Sequence, residues 1–508
     1  MATAVGTHFA RYDSVWSSSF DVPAYPPLSQ NLSTDVVIVG AGIAGMSVAY
    51  HLARAGRKVV VIDDGGLAGG ITSRTTAHLS AAMDNTYGVV ESRRGAEAAK
   101  LAAQSHSAAI DRIESIVRGE GIDCDFERLG GYLFLPPDEQ LKVLEDELAA
   151  VLRTGLPVER LPRAPLDFFD TGPCIHYPNQ AQFHPLKYIT GLARSVERNK
   201  GQIFGGTHVD RIEGGKNAHV VASRWSVHAD AVVVATNSPV NDRVFIHTKQ
   251  APYTTYVIGA RIPPESVPRG LYWDMDDPYH YIRAHRIDDR DVLIVGGEDH
   301  KTGQADDTER RHARLEAWAR KRFPMIEGVE FRWAGQVMES FDGLAFIGRN
   351  PGLQDNVYVV TGDTGMGMTH GTIAGMLISD LILERRNPWE SLYDPSRKPL
   401  RAAGKFVKEN ANVAAQYVDW LAPGDEVDVE EIAPGSGAVV REGLKKLAMY
   451  RDAHGQLHTF SAVCPHLGCI VQWNPTEKTW DCPCHGSRFD KQGTVINGPS
   501  NQNLRKME

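Results

Sequence analysis

The sequence predicts an α/β protein that ends in a small all-β domain. From residue 35 to about residue 383, short Val and Ile runs alternate with Ala-rich helical stretches, which is typical of α/β proteins. A glycine-rich turn between the first strand and the first helix indicates a Rossmann-like unit. From about Val427 the chain changes to short strands separated by turns, which predicts the all-β domain.

Composition excludes several broad classes of protein. The 508 residues include 54 Lys+Arg and 63 Asp+Glu, for a net charge of −9, and 42% are hydrophobic. This balance argues against a basic nucleic-acid-binding surface and against large-scale disorder. No stretch reaches the roughly 20 apolar residues of a membrane-spanning helix, and the first residues lack the pattern of a signal peptide. We therefore expect a soluble, cytoplasmic protein without a nucleic-acid partner.

The chain divides into four segments that differ in composition and in predicted secondary structure. Residues 1–32 are polar and Pro-rich and are expected to form an irregular lead-in. Residues 33–388 carry the α/β pattern. Residues 389–426 are expected to be a linker that contains a helix, and residues 427–508 the β domain.

The first motif predicts a dinucleotide site. A strand runs into Gly40-Ala-Gly42-Ile-Ala-Gly45, a helix follows, and a second strand ends in Asp63. The glycines permit a tight turn, a close approach of backbone to a pyrophosphate and close helix packing, and Asp63 can accept a hydrogen bond from a ribose hydroxyl. The alternative, a glycine-rich turn with an incidental acid, leaves the complete strand–helix–strand–acid order unexplained.

Three further features favour FAD over NAD at this site. One strand ends in the turn Ala235-Thr236, and another leads through a glycine-rich loop, residues 362–369, into a helix. The N-terminus of such a helix can stabilise the negative charge of a reduced flavin. The sequence contains no second strand–G-x-G-x-x-G–helix unit for a separate pyridine nucleotide.

The second motif set lies in the last tenth of the chain. Cys464-Pro-His466 and Cys482-Pro-Cys484-His485 occupy two loops separated by predicted strands. Two thiolates and two imidazoles are the ligands of a Rieske [2Fe–2S] cluster, and they also suit a Cys₂His₂ zinc site. The leftover Cys469 and Cys484, which can pin one loop to the other, favour the cluster over zinc.

Residues 33–385 resemble the D-amino acid oxidase/sarcosine oxidase-like FAD-dependent oxidoreductases. The resemblance rests on DVVIVGAGIAG, on the stretch 69–76, on FHPLKY, on Ala-Thr-Asn at 235–237, on Trp-Ala-Gly at 333–335 with 342–348, and on the late glycine-rich loop. It implies an FAD domain interleaved with a mixed-sheet substrate domain at about 116–184 and 251–334. It also implies these FAD-binding residues: Gly40, Gly42, Gly45, Asp63, Thr75, Thr76, Ala235, Thr236, Gly365, Gly367, Met368 and Thr369.

The same resemblance suggests which side chains face the flavin in the substrate pocket. Tyr256, Tyr281, Arg283 and His370 lie on segments that face the flavin in such folds. An arginine could bind a substrate carboxylate and a tyrosine could close over it. The alternative is that the tyrosines only cover the sheet and that Arg283 forms a surface ion pair.

Residues 427–508 resemble a Rieske domain of the disulfide-bearing kind found in cytochrome bc complexes. CPHLGC and CPCHGS match without gaps. The match implies the ligands Cys464, His466, Cys482 and His485 and the disulfide Cys469–Cys484. One departure is Phe489, which stands where high-potential members carry a tyrosine.

Together the two halves resemble bacterial fusion oxidoreductases with a C-terminal Rieske domain. This implies a dehydrogenase that oxidises an amine or amino-acid-like substrate by hydride transfer to FAD and sends single electrons through the cluster to an external carrier. The alternatives are a reductase fed through the cluster by a ferredoxin-like donor and a redox-sensing interaction protein. We expect the FAD to be non-covalent, although His78 lies near a position that relatives use for a covalent link.

Overall fold

The computed structural model describes residues 14–135, 140–241, 245–287, 289–305, 307–352, 356–398, 403–420 and 428–507. Within these ranges no helix is both long and apolar enough to span a bilayer. The start of the predicted lead-in, residues 1–13, and the predicted boundary at 426/427 lie outside the described residues. The helices are α1 (Val15–Ser19), α2 (Ile43–Arg54), α3 (Tyr87–Arg94), α4 (Ala96–Glu120), α5 (Leu141–Thr154), α6 (Pro185–Arg198), α7 (Thr308–Arg322), α8 (Gly367–Ile382), α9 (Glu390–Tyr393) and α10 (Ala403–Gln416).

The strands form two large sheets and two small ones. Those of the large sheets are β1 (Leu32–Val39), β2 (Val59–Ile62), β3 (His78–Leu79), β4 (Glu127–Phe134), β5 (Glu159–Leu161), β6 (Cys174–Gln182), β7 (Gln202–Phe204), β8 (Arg211–Glu213), β9 (His219–Ala222), β10 (Trp225–Val234), β11 (Gln250–Ile262), β12 (Leu271–Asp274), β13 (His280–Ile287), β14 (Arg290–Lys301), β15 (Gly328–Ser340), β16 (Phe346–Arg349) and β17 (Val357–Thr361). Those of the small sheets are β18 (Ser436–Glu442), β19 (Lys445–Arg451), β20 (Leu457–Ser461), β21 (Gln472–Asn474), β22 (Thr479–Asp481), β23 (Arg488–Asp490) and β24 (Val495–Asn497).

The first large sheet has the order β16-β17-β10-β1-β2-β7, with β8 and β9 continuing from β10. Strands β1, β2, β7, β10 and β17 pair in parallel, while β16 pairs antiparallel with β17. All residues of β2 and β17 are buried, as expected for parallel strands covered on both faces. Helices α2 and α8 pack against each other beside this sheet. The predicted Rossmann-like arrangement is therefore confirmed.

The second large sheet is mixed, as predicted. Its order is β15-β11-β14-β13-β12-β4-β6-β3, with β5 beside β6, and β4 pairs in parallel with β12 while the other pairs are antiparallel. One face packs under α7 around Tyr256 and Leu315. The opposite face, which carries Thr255 and Tyr281, faces a cavity against the first sheet.

The C-terminal region is all-β, also as predicted. It consists of the antiparallel sheets β18-β19-β20 and β21-β22-β23-β24. A shared apolar core contains Trp480 and Phe489, and the four C-terminal cysteines are buried in it.

A buried chain of charges joins this β domain to the rest of the protein. Arg74 Nη1 donates to Glu477 Oε1 at 2.7 Å, and its side chain is only 4% exposed. The second oxygen of Glu477 accepts from Arg488, whose Nε also donates to Asp481 Oδ1 at 3.0 Å. Arg74 Nη1 reaches the carbonyl of Ala334 in the second sheet as well, at 2.8 Å. One carboxylate therefore bridges two buried guanidinium groups from different domains.

Helix α10 and the residues that follow it contact both the α/β region and the β domain. Lys301 at the end of β14 pairs with Glu409 in α10. Beyond α10, Tyr417 Oη donates to the carbonyl of Leu467 at 2.8 Å, and Trp420 Nε1 donates to that of Gly468 at 2.9 Å. Because the two carbonyls belong to the first cysteine loop, the linker fixes that loop relative to the α/β region.

We predict that Glu477→Gln destabilises the protein strongly. The change leaves Arg74 and Arg488 buried without their shared carboxylate, and breaking a buried ion pair in this way costs about 3–5 kcal/mol. Chemical denaturation measures the loss. The matched control is Glu327→Gln, which removes the partner of Arg261 from a half-exposed pair and should cost less than about 1 kcal/mol. Equal effects of the two variants would contradict the prediction.

The same carboxylate predicts a pH dependence. Burial alone would raise the pKa of Glu477, but the charges of Arg488 and Arg74 outweigh it and hold this pKa below its usual range. A depressed carboxyl pKa contributes stability above the ordinary Glu range, and this contribution is lost as the pH falls through the depressed value. The midpoint of acid unfolding should therefore lie at higher pH in Glu477→Gln than in the parent protein.

Candidate functional site

The glycine motif forms the turn between β1 and α2. Gly40 has a φ of +110°, and a Cβ there would lie 2.3 Å from the carbonyl oxygen of Ala235. A Cβ at Gly45 would lie 1.9 Å from the oxygen of Gly40. Neither position can hold a larger residue, and Gly42 begins α2 without a side-chain cap. The amide of Ile43, the first residue of α2, donates to Thr72 Oγ1 at 3.0 Å, and the amides that follow it at this helix N-terminus suit an anionic ligand.

Asp63 holds the same turn together from the end of β2. Its Oδ2 accepts from the amide of Ala41 at 2.7 Å, and its Oδ1 accepts from the amides of Gly65 and Gly66, each at 2.9 Å. Burial raises the pKa of Asp63 to about 6, with Asp64 adding to the rise and the three amides opposing it. The sequence assigned this residue only to the ribose, whereas the structure gives it a second task in fixing the loop.

A cavity of about 1260 Å³, including its open part, extends from Gly42 along the interface of the two large sheets. Most of the predicted FAD-binding residues beyond the glycine turn line it: Thr75, Thr76, Ala235, Gly365, Gly367 and Met368. Two do not. Thr236 Oγ1 donates to the carbonyl of Ser238, and Thr369 Oγ1 contacts His106 Nδ1 at 2.8 Å. The cavity reaches both the glycine turn and the N-terminus of α8, and this combination suits FAD.

Of the four residues predicted to be catalytic, two line the cavity. Tyr281 lies there with its hydroxyl 2.7 Å from Thr255 Oγ1. His370 lines the cavity from α8, and its Nδ1 lies 2.9 Å from the carbonyl of Asp363. Burial lowers the pKa of His370 to about 4, so its ring is neutral at neutral pH.

The other two lie elsewhere, and both placements correct the expectation. Tyr256 is fully buried beneath α7 on the far face of the sheet, with its hydroxyl 3.1 Å from His300 Nε2. Neighbouring strand residues point to opposite faces, so Thr255 takes the cavity side instead. Arg283 donates to the carbonyls of Thr76 and Ala77, at 3.1 and 2.6 Å. It therefore holds the loop beside the flavin site and is neither a carboxylate receptor nor a surface residue.

Several further cavity residues were missed by the sequence reasoning: Asp84, Thr255, Tyr279, Gln336 and Asp363. Strand alternation could have pointed to Tyr279, two positions before Tyr281, and to Thr255. Asp84 lies in an irregular loop, and Gln336 lies in a long strand without a distinctive pattern. No local signal marks either of them, because different parts of the chain bring them to the cavity.

The two cysteine loops meet in the β domain. The thiols of Cys464 and Cys482 are hydrogen-bonded neighbours. The amides of His466 and Leu467 donate to the sulfur of Cys464. The amides of Cys484 and His485 donate to the sulfur of Cys482. The rings of His466 and His485 lie 5.0 Å apart. Thiols supplied with amide donors beside two imidazoles form a donor set that suits a [2Fe–2S] cluster.

A disulfide joins the same two loops, between Cys469 and Cys484. This is the pairing implied by the resemblance. Gly468 and Gly486 both have a φ of +82°, which lets each loop turn back beside the sulfurs.

The histidine side of the cluster site is covered by the α/β region. His485 is only 6% exposed. The ring of His247, from the turn before β11, lies 5.0 Å from the ring of His466 and 6.0 Å from that of His485. A Cβ on Gly486 would lie 2.5 Å from Pro252 Cβ, so the second cysteine loop touches β11 directly.

Gln336 connects this contact to the cavity. It is fully buried in β15 and lines the cavity. Its Nε2 donates to the carbonyl of Gly486 at 2.9 Å, and its Oε1 accepts from Asn497. Since Gly486 follows His485, one side chain separates the cavity from the loop that carries a cluster ligand.

Comparison with known proteins matches both halves of the chain. Residues 35–381 match the FAD dependent oxidoreductase family, and residues 424–508 match the Rieske [2Fe-2S] domain. The putative Rieske 2Fe-2S iron-sulfur protein YhfW of Bacillus subtilis (strain 168) is 31% identical over 507 residues, which is 99% of both chains. The gamma-glutamylputrescine oxidoreductase of Escherichia coli (strain K12) is 27% identical, over 70% of this chain and 85% of its own length.

Among solved structures, glycine oxidase from Geobacillus kaustophilus is similar with a TM-score of 0.62 at 18% identity. It covers 72% of this chain and all of its own chain. At this identity the likeness shows the fold of the α/β region alone.

We predict that FAD is held without a covalent bond to His78. Its Nδ1 lies 3.0 Å from Thr76 Oγ1 and its Nε2 lies 3.4 Å from the carbonyl of Ile282, so both ring nitrogens are engaged. Acid precipitation should release all of the flavin into the supernatant. Flavin fluorescence that stays with the denatured chain, and disappears in His78→Ala, would contradict this.

We also predict how two residues set the reduction potential of the cluster. Phe489 is fully buried and offers no hydrogen-bond donor, whereas the hydroxyl of Ser487 hydrogen-bonds with Cys464. Ser487→Ala should lower the potential, and Phe489→Tyr should raise it. Each change should be about 50 mV, the one-electron equivalent of a hydrogen bond of about 1.2 kcal/mol.

Protein-film voltammetry measures these shifts, and electron paramagnetic resonance checks that the cluster remains intact. An unchanged potential in Phe489→Tyr with an intact cluster would refute the hydroxyl argument at this position.

Proposed function

The chain belongs to the FAD dependent oxidoreductase family and carries a Rieske [2Fe-2S] domain, and from this premise we propose that it is a dehydrogenase feeding an external one-electron acceptor. It is an oxidoreductase of the amine and amino acid oxidase type that binds FAD and a [2Fe–2S] cluster. The proposed substrate is an amine or an amino-acid-like compound. A relative named for gamma-glutamylputrescine supports this range.

The two cofactors divide the chemistry. Bound FAD would supply an acceptor for a hydride from the carbon beside the substrate nitrogen, and a bound cluster would supply a carrier of single electrons. The substrate thus loses two electrons and one proton to become an iminium, which water hydrolyses to a carbonyl compound and an amine or ammonia. The chain's own residues have to bind both groups, orient the substrate and keep the two sites close together.

The cavity residues fit these tasks. The amides at the start of α2 would hold the pyrophosphate, and Gly365, Gly367 and Met368 would place the N-terminal end of α8 at the flavin ring. Tyr281, fixed by its contact with Thr255, would cover the substrate from the second sheet. His78 and His370 add no charge at neutral pH, because burial lowers their pKa values to about 3 and about 4.

One observation carries the proposal of transfer between the cofactors. The imidazoles of the proposed cluster ligands lie against His247, and Gln336 both lines the FAD cavity and binds the loop of His485. The contact buries His485 and leaves His466 partly exposed, so one proposed ligand lies against the α/β region while the other can still reach a partner. The contact supports electron exchange within one chain.

The direct test is anaerobic reduction with a panel of amines and amino acids. We expect one of them to bleach the flavin absorbance, followed by the appearance of the reduced-cluster signal in electron paramagnetic resonance. Reduction of the cluster and then the flavin only by a ferredoxin-like donor would favour the reductase instead. Cofactors that never exchange electrons would refute both directions.

A variant tests the contact itself. His247→Ala removes the ring between the proposed ligand imidazoles and the α/β region, and His247 does not line the cavity. Stopped-flow measurements should show slower electron transfer from flavin to cluster than in the parent protein. His228→Ala is the matched control, since this histidine stacks on His219 in the distant β9–β10 hairpin and should leave that phase unchanged. Equal rates in both variants would contradict the proposed route.

A further inference from the structure

We infer that the substrate is a small amine with a second positive charge, such as a diamine or polyamine, and that it carries no carboxylate. The inference rests on the proposed oxidation of amines at the FAD cavity. It is drawn from the carboxylates and aromatic rings in and beside the wall of that cavity, near the glycines at the N-terminus of α8.

Carboxylates from separate segments of the chain lie in or near the cavity wall. Asp84 and Asp363 line the cavity, and Asp299 and Glu339 lie close enough for their charges to act on Asp84. Asp84 forms no hydrogen bond or ion pair within the part of the chain that the structure describes. Within the same part, the buried Oδ1 of Asp299 has no hydrogen-bond partner.

The pKa values of three of these carboxyl groups lie above the usual range. Asp84 is exposed to the space of the cavity, and partial desolvation there, followed by the charges of Glu339, Asp299 and Asp363, raises its pKa. Burial likewise raises the pKa of Asp363 to about 7 and that of Asp299 to about 6. These groups repel one another when ionised, and a cationic ligand would relieve the repulsion.

Positive side chains near this group already have partners. Among the described residues that line the cavity, the arginine is Arg74. It already pairs with Glu477 and donates to the carbonyl of Ala334. Arg311 lies next to Asp299 but pairs with Asp307 at 2.8 Å. Lys405 approaches Glu339 at 3.6 Å. A substrate carboxylate would therefore meet carboxylates and find no unoccupied guanidinium in the cavity wall.

Aromatic rings in the cavity wall independently indicate a cationic ligand. Tyr279, Tyr281 and Trp273 all line the cavity, and the two tyrosine rings lie 5.7 Å apart. The faces of tyrosine and tryptophan rings attract ammonium groups within about 6 Å. Rings and carboxylates together form a receptor for cationic nitrogen, as in sites that recognise ammonium ligands.

Three compounds of equal chain length test the inference on the holoenzyme: 1,4-diaminobutane, butylamine and 4-aminobutanoate. They present two positive charges, one positive charge, and one charge of each sign. The rate constant for anaerobic flavin bleaching at low concentration measures their productive binding. The diamine should exceed butylamine by about tenfold or more, as expected for one added charge-assisted hydrogen bond, and 4-aminobutanoate should be the slowest.

Thermal stabilisation of the oxidised holoenzyme by the same compounds gives a readout that does not require turnover. The diamine should raise the melting temperature most. In Asp84→Asn, and separately in Glu339→Gln, the advantage of the diamine over butylamine should disappear. Asp167→Asn, at a carboxylate 93% exposed on the surface, is the matched control and should retain it.

The outcomes separate this inference from the proposed function. If 4-aminobutanoate equals or exceeds the diamine, or if Asp84→Asn and Glu339→Gln both keep the diamine preference, the inference is overturned while amine oxidation stands. If no amine bleaches the flavin, the proposed function fails. The thermal measurement then still decides whether the cavity selects a dication.

Discussion

The shared carboxylate of Glu477 is the constraint on which the relation of the two cofactor sites depends. It binds Arg488 within the β domain and Arg74 in the wall of the FAD cavity. Without it, Arg74 and Arg488 would each lose a buried carboxylate partner, although Arg488 would keep Asp481 and Arg74 would keep the carbonyl of Ala334. Such a loss is far more costly than the loss of an exposed ion pair. The β domain is therefore held in one position, with its cysteine loops against the second large sheet.

That position explains the residues along the contact. Gly486 has no room for a side chain because Pro252 and Gln336 approach its Cα so closely. The same approach brings the rings of His466 and His485 against His247. This contact lies beside Gln336, which lines the cavity and donates to the carbonyl of Gly486. It also leaves the linker, through Tyr417 and Trp420, in contact with the first cysteine loop.

Around the cavity, some residues hold the backbone in place while their neighbours face the ligand space. Arg283 is used to hold the carbonyls of the loop at Thr76 and Ala77, so it is not available to a substrate. Tyr256 and Thr255 show how strongly strand phase matters, since a shift of one position moves a side chain from the cavity to the core under α7. Asp84 lines the same cavity from an irregular loop and is exposed to its space.

The mixed second sheet was expected only from the family resemblance. The sequence by itself determined the Rossmann-like turn, the all-β domain and the identity of both cofactors. These features follow from local periodicity, from glycines that no other residue can replace, and from closely spaced Cys and His residues, all of which act over short stretches of chain. Only the tertiary structure decided that Asp84, Tyr279 and Gln336 line the cavity and that Glu477 joins the domains. These contacts link residues that are far apart in the chain. Their chemistry depends on burial and on charged neighbours, which no single segment encodes.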